Sequence, residues 1–156
     1  MVEVKRTFLL VGVLYHLLCR WTDEPYASRV ASAFLFDLAD AVQRSAYFPS
    51  GAQERSWDRF HDLHGAQIAD GFIRFNENDG VVRTPHVVSM HITRCRFFEA
   101  FRDMGNASLV EAFCRSDEAV FNDYLPEMRF HRGDAVANTI ARGAKRCTFI
   151  FEKSSD

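Results

Sequence analysis

Apolar residues in the first half of the chain recur at helical spacing. The run from Phe8 to Leu14, continued by Leu17 and Leu18, predicts a buried first helix over about residues 5–21. Asp23 and Glu24 then offer side-chain acceptors, and Pro25 sits where a first helical turn tolerates it, which opens a second helix reaching about residue 47. Its apolar face reads as Val30, Ala33, Phe34, Leu38 and Ala41. A turn at Phe48-Pro49-Ser50-Gly51 separates it from a third helix over about residues 52–72. There Trp57, Phe60, His61, His64, Ile68 and Phe72 fall in one stripe. Asn76-Glu77-Asn78-Asp79-Gly80 reads as a polar, hairpin-like loop.

The period then changes from helical to alternating. Val88, Met90 and Ile92 alternate with Ser89, His91 and Thr93, which is strand patterning. Short helices follow at 96–104, closed by Gly105, then at 108–114 and 117–124, with Pro126 as the stop. Residues 128–131 fit a strand, 135–141 are ambiguous up to Gly143, and 147–152 alternate with Cys147, Phe149 and Phe151 on one face. The expected fold class is α+β: a helical N-terminal half packed on a small antiparallel sheet formed mainly by the C-terminal half. We expect a single domain over 1–156, helical over about 1–75 and sheet-containing over about 80–153, since 156 residues suit one core.

Composition narrows the function. Hydrophobic residues are 47% and charged residues 26%, which are globular proportions. Fifteen Phe imply a ring-rich core or pocket. The net charge of −2, without a dense basic run, lacks the footprint of nucleic-acid binding. Lys5 and Arg6 before an apolar run faintly resemble a signal peptide. No small-x-small cleavage site follows, and the run is far short of the ~20 residues that span a bilayer. The expectation is a cytoplasmic protein with no membrane or nucleic-acid partner, a small-molecule substrate, and enough apolar helix surface for a homodimer.

Four cysteines, at 19, 95, 114 and 147, with no C-x-x-C pair, suit reduced thiols. Cys19 reads as packing. Cys95 lies between Arg94 and Arg96, with His91 four residues back. His91 and Cys95 share a face if the strand extends that far, although four strand residues span about 13 Å. Cys114 precedes Arg115 and lies three residues before Asp117. A thiol needs a base or positive surroundings to become a nucleophile, and buried packing is the ordinary alternative for each. Asp117 equally suits the N-cap of a helix starting there. His61 and His64, one turn apart, read as pocket or core residues; without H-E-x-x-H or C-x-x-C, no metal or other cofactor is expected. Arg129, Arg132 and Arg142 flank the last strands and could grip a carboxylate.

The C-terminal pattern adds a resemblance. It consists of Cys95-Arg96-Phe97, then Cys114-Arg115-Ser116-Asp117, then Tyr124-Leu125-Pro126. The run from Asn138-Thr139-Ile140-Ala141 through Arg142-Gly143 to Cys147-Thr148-Phe149-Ile150-Phe151 closes it. Over roughly these last 60 residues the chain resembles the L-2-amino-thiazoline-4-carboxylic acid hydrolase family. The resemblance implies hydrolytic opening of a carboxylate-bearing cyclic amidine or thiazoline ring in small-molecule metabolism. Its matching positions are Cys95, Cys114, Asp117, Thr139, Gly143 and Cys147. In that reading Cys114 or Cys95 is the nucleophile, Asp117 or His91 shuttles the proton, and Arg132 holds the carboxylate. Thr139, His61, His64 and Phe60 complete the substrate site. The alternatives are a cyclase, isomerase or lyase of a biosynthetic pathway on the same scaffold, or a non-catalytic small-molecule-binding domain.

Overall fold

The structure, a computed structural model, describes residues 2–48, 54–133 and 138–154. Five helices, α1 (Val2–Leu18), α2 (Glu24–Tyr47), α3 (Trp57–Ala69), α4 (Arg96–Asp103) and α5 (Val110–Asn122), pack with four strands, β1 (Glu77–Arg83), β2 (Val87–Arg94), β3 (Met128–His131) and β4 (Cys147–Lys153). The class is α+β. The sheet is antiparallel throughout, in the order β1-β2-β4-β3. One face of β2 (Val88, Met90, Ile92) and of β4 (Cys147, Phe151) is buried. Phe60 of α3 and Phe121 of α5 pack their rings on Phe151, so these helices cover that face.

Local chemistry sets the helix starts. The Asp23 carboxylate accepts the Tyr26 N–H at 2.7 Å, and Ser56 Oγ accepts the Arg59 N–H at 3.2 Å, each satisfying a donor that an α-helix leaves open. The α2 face that goes inside is Ala27, Ala31, Leu35, Ala39, Gln43 and Tyr47. The predicted face is displaced: Ala33, Phe34 and Ala41 are exposed. Alanines at every fourth position let a neighbouring helix approach closely, a packing effect that ranking residues by hydrophobicity overlooks. Among the described residues of α1, Phe8, Val11, Gly12 and Tyr15 are buried while Leu9, Leu10, Val13 and Leu17 are exposed, so this stretch lies at the surface and is not the buried helix expected.

Two further expectations change. Residues 76–80 are not a loop. β1 starts at Glu77, and Asp79 and Gly80 form an irregularity between the pairings Asn78↔Ile92 and Val81↔Met90. Gly80 takes φ +100°, and the turn falls instead at Thr84, whose N–H donates to the Val87 carbonyl at 2.8 Å. The two helices expected over 108–114 and 117–124 are replaced by one continuous helix, α5, over Val110–Asn122, because the Ser116 hydroxyl donates back to the Phe113 carbonyl at 2.8 Å and does not cap a new start. The third helix begins at Trp57 and ends at Ala69. Pro49 to Gly51 of the predicted turn, the predicted helix start at 52, and positions 135–137 lie outside the described residues.

α3 carries a buried histidine with a pH consequence. His64 is fully buried, its Nδ1 lies 2.7 Å from the Tyr47 hydroxyl, and it stacks on Phe60. Burial, with Arg83 and His61 adding to it, lowers its pKa to about 3. The unfolded chain takes up this proton near pH 6.5 while the folded chain refuses it. The histidine's contribution is therefore complete above pH 6.5 and shrinks as pH falls toward 3. We expect His64→Phe, measured by urea unfolding, to gain about 3 kcal/mol relative to wild type between pH 6.5 and 4. An unchanged difference across that range would show that His64 titrates normally in the folded chain.

Candidate functional site

A cleft opens between the buried face of the sheet and α4–α5, with about 540 Å³ of empty space, its open mouth included. Most of its lining is apolar: Phe72, Ile73, Met90, Ile92, Phe97, Val110, Phe113, Phe121 and Phe149. The polar lining is concentrated in Asn76, Cys95, Cys114, Asp117, Arg132 and Cys147. Three thiols far apart in sequence thus face one space, together with Asp117.

The three thiols differ in their bonding. Cys95 is not the end of β2; it is the N-cap of α4, and its Sγ accepts the Phe98 N–H at 3.4 Å. Cys147 opens β4, and its Sγ accepts the Ile140 N–H at 3.1 Å. Cys114, in the middle of α5, has no hydrogen bond to its sulfur among the described residues. Burial pushes the Cys95 thiol up to about 12 and raises those of Cys114 and Cys147 as well. Asp117 adds to the rise at Cys114, while Arg132 opposes it. All three rest as protonated thiols, and none is pre-ionised.

Asp117 is fixed from two sides. Arg132 donates to its Oδ2 at 2.6 Å and Gln43 to its Oδ1 at 2.9 Å; the same Gln43 amide also donates to Ser116 Oγ at 3.0 Å. Arg132 also donates to the carbonyls of Cys114 at 3.2 Å and Thr148 at 3.4 Å, and its guanidinium lies 4.5 Å from the ring centre of Phe149. Burial raises the Asp117 carboxyl to about 6, against the pull of Arg132 and Gln43. For Arg132 burial weighs against the charge, but Asp117 outweighs it and the guanidinium is held charged. At neutral pH the pair is ionic, with an acid within reach of protonation.

Other predicted residues lie elsewhere. His91 points from the opposite face of the sheet, where its Nδ1 is 3.0 Å from Asp79 Oδ2, so it does not meet Cys95. The cause is the end of β2 at Arg94: Cys95 turns into α4 and its side chain packs inward. Phe60 and His64 sit in the aromatic core beneath the sheet, and His61 packs edge-on against Trp57; none of them lines the cleft. Asp117 is a buried mid-helix residue and not a cap. Arg132 is already engaged by Asp117. Thr139 is buried and lines a second, adjoining cavity. Gly143 takes φ +89°, a left-handed conformation that suits glycine, and closes the turn before β4. Cys19 packs against the α1–α2–α4 core. Among the described residues, no group of three His, Cys, Asp or Glu is placed to hold a metal ion, and no helix is long and apolar enough to cross a membrane.

Of the six positions that carry the sequence resemblance, four, Cys95, Cys114, Asp117 and Cys147, line this cleft. The family model described as L-2-amino-thiazoline-4-carboxylic acid hydrolase matches residues 9–151. The chain belongs to that family. The match extends well beyond the last 60 residues into the helical half, which supplies Gln43 and the face of α2 that carries it. No curated protein and no solved structure gives a match. Gln43 was missed from sequence, although it had a signal: it is the polar position in a stripe of every fourth residue, Ala39-Gln43-Tyr47, that otherwise goes inside.

Proposed function

We propose that this member of the thiazoline-hydrolase family opens a small, carboxylate-bearing cyclic amidine ring by addition of water, with Cys114 as nucleophile and Asp117 as its base. The observation that carries the reading is the meeting of Cys114 and Asp117 on one face of α5 inside an apolar cleft, with Asp117 held near pKa 6. Residues three apart on a helix are neighbours. A base poised near the working pH balances availability against proton affinity.

In this reading the flat ring occupies the Phe-lined space. The Cys114 thiol gives its proton to Asp117 as sulfur attacks the electron-poor carbon between ring N and S. The C=N electron pair moves to nitrogen. Collapse breaks the ring C–S bond, and the ring sulfur leaves with the proton from Asp117. Water then attacks the same carbon, and Cys114 departs as a thiol. The sum is one water added and one ring opened. Cys95 and Cys147, whose sulfurs accept backbone N–H groups, shape the walls.

The test is to incubate the chain with 2-amino-thiazoline-4-carboxylate and follow the substrate by mass. A product heavier by one water, bearing a new free thiol, is expected. Wild-type protein that leaves the ring intact would remove the hydrolase reading and favour a different reaction on the scaffold.

A further inference from the structure

A second cavity adjoins the cleft, with Cys114 and Arg132 in the lining of both. Its floor is the outward face of α5, carrying Glu111, Arg115 and Glu118, and its wall is Thr139 and Arg142. The charges there are not equivalent. Arg142 is taken by Glu111, at 3.2 Å, and Arg132 by Asp117. Arg115 makes no ion pair among the described residues. Thr139 is 3% exposed and lines this cavity. Arg132 Nε is buried without a hydrogen-bond partner. Buried polar groups are normally satisfied, so this guanidinium nitrogen beside an open arginine indicates a missing acceptor.

We infer that this second cavity is the carboxylate subsite, with Arg115 and Thr139 as the residues that recognise the acid group of the substrate. The assignment rests on the proposed ring-opening function and gives it a geometry: ring in the apolar cleft, carboxylate in the polar cavity, Cys114 at the junction. Arg115 supplies the charge-assisted contact, Thr139 a hydroxyl donor, and Arg132 closes the corner while still holding Asp117. Glu118, on the same floor, repels a second negative group and suits an N–H donor beside the carboxylate.

The experiment does not depend on turnover. Aromatic 2-aminothiazole-4-carboxylate and its neutral parent 2-aminothiazole are titrated into the full chain by calorimetry. Wild type should bind the acid at least tenfold more tightly. Arg115→Met should weaken the acid by about 10- to 100-fold, the range expected for a hydrogen bond to a charged group, and leave the neutral ring unchanged. Thr139→Val should weaken the acid alone, by about 3- to 10-fold. Arg129→Met, exposed on β3 and in the lining of neither cavity, should change neither. Equal binding of the two probes by wild type, no binding of either, an unaltered acid affinity in Arg115→Met, or an equal loss in Arg129→Met would overturn the subsite. Acid-selective binding that Arg115→Met abolishes, in a protein that leaves the thiazoline ring intact, would keep the subsite and remove the ring-opening function.

Discussion

Replacing Asp117 with Asn should lower kcat for ring opening by about 10²- to 10⁴-fold, the usual contribution of a positioned general base. Asn keeps the shape of the side chain and one acceptor for Gln43 or Arg132, but it cannot take the Cys114 proton. The pH profile separates this from simple damage. Burial raises the Asp117 carboxyl to about 6, so the wild-type rate should climb as pH rises through 6 and level off above it. The residual rate of Asp117→Asn should lack that limb. The same carboxyl also bears on stability. Its folded pKa lies above the unfolded value of about 4, so its contribution is greatest below pH 4 and is lost as pH rises through 6. That slope is opposite in sign to the slope from His64, and the two partly cancel between pH 4 and 6 in wild type. A kcat within tenfold of wild type, or an acid limb that survives in the variant, would show that another group takes the proton.

Arg132→Gln should have the largest effect on stability, a loss of about 3–5 kcal/mol by urea unfolding, because it leaves a fully buried carboxylate without its counter-charge. For a chain of this size that corresponds to a fall in Tm of roughly 10 °C or more. Three contacts go together: the 2.6 Å bond to Asp117, the bonds to two backbone carbonyls, and the packing over Phe149. Without the guanidinium, burial acts on Asp117 with less opposition, so its pKa should rise further. The acid limb of the rate profile should then move to higher pH in whatever folded enzyme remains. The double variant Arg132→Gln with Asp117→Asn removes both charges and should recover part of the lost stability, because a neutral pair costs less to bury than a lone ion. If the double variant is no more stable than the single one, packing over Phe149 and not charge dominates the role of Arg132.

The alternation of Val88, Met90 and Ile92, and of Cys147, Phe149 and Phe151, was readable because a strand with one buried face imposes a period of two on the residues themselves. The α+β class followed from the order of helical and alternating segments, and the grouping of Cys95, Cys114, Asp117 and Cys147 followed from the resemblance of the C-terminal pattern to a family. These are properties of local period and order, and the sequence determined them by itself. Tertiary structure decided which face of α2 goes inside, because close helix approach selects Ala27, Ala31 and Ala39 over the larger Phe34. It also decided that β2 ends before Cys95, which sends that thiol inward and leaves His91 with Asp79 on the other side of the sheet. The ionisation of Asp117 depended on tertiary structure most of all. It is set by burial working against Gln43, 74 positions away in the chain, and Arg132, 15 positions away. Charge and desolvation act through space, so distances along the chain carry no trace of them until the helices and sheet have packed.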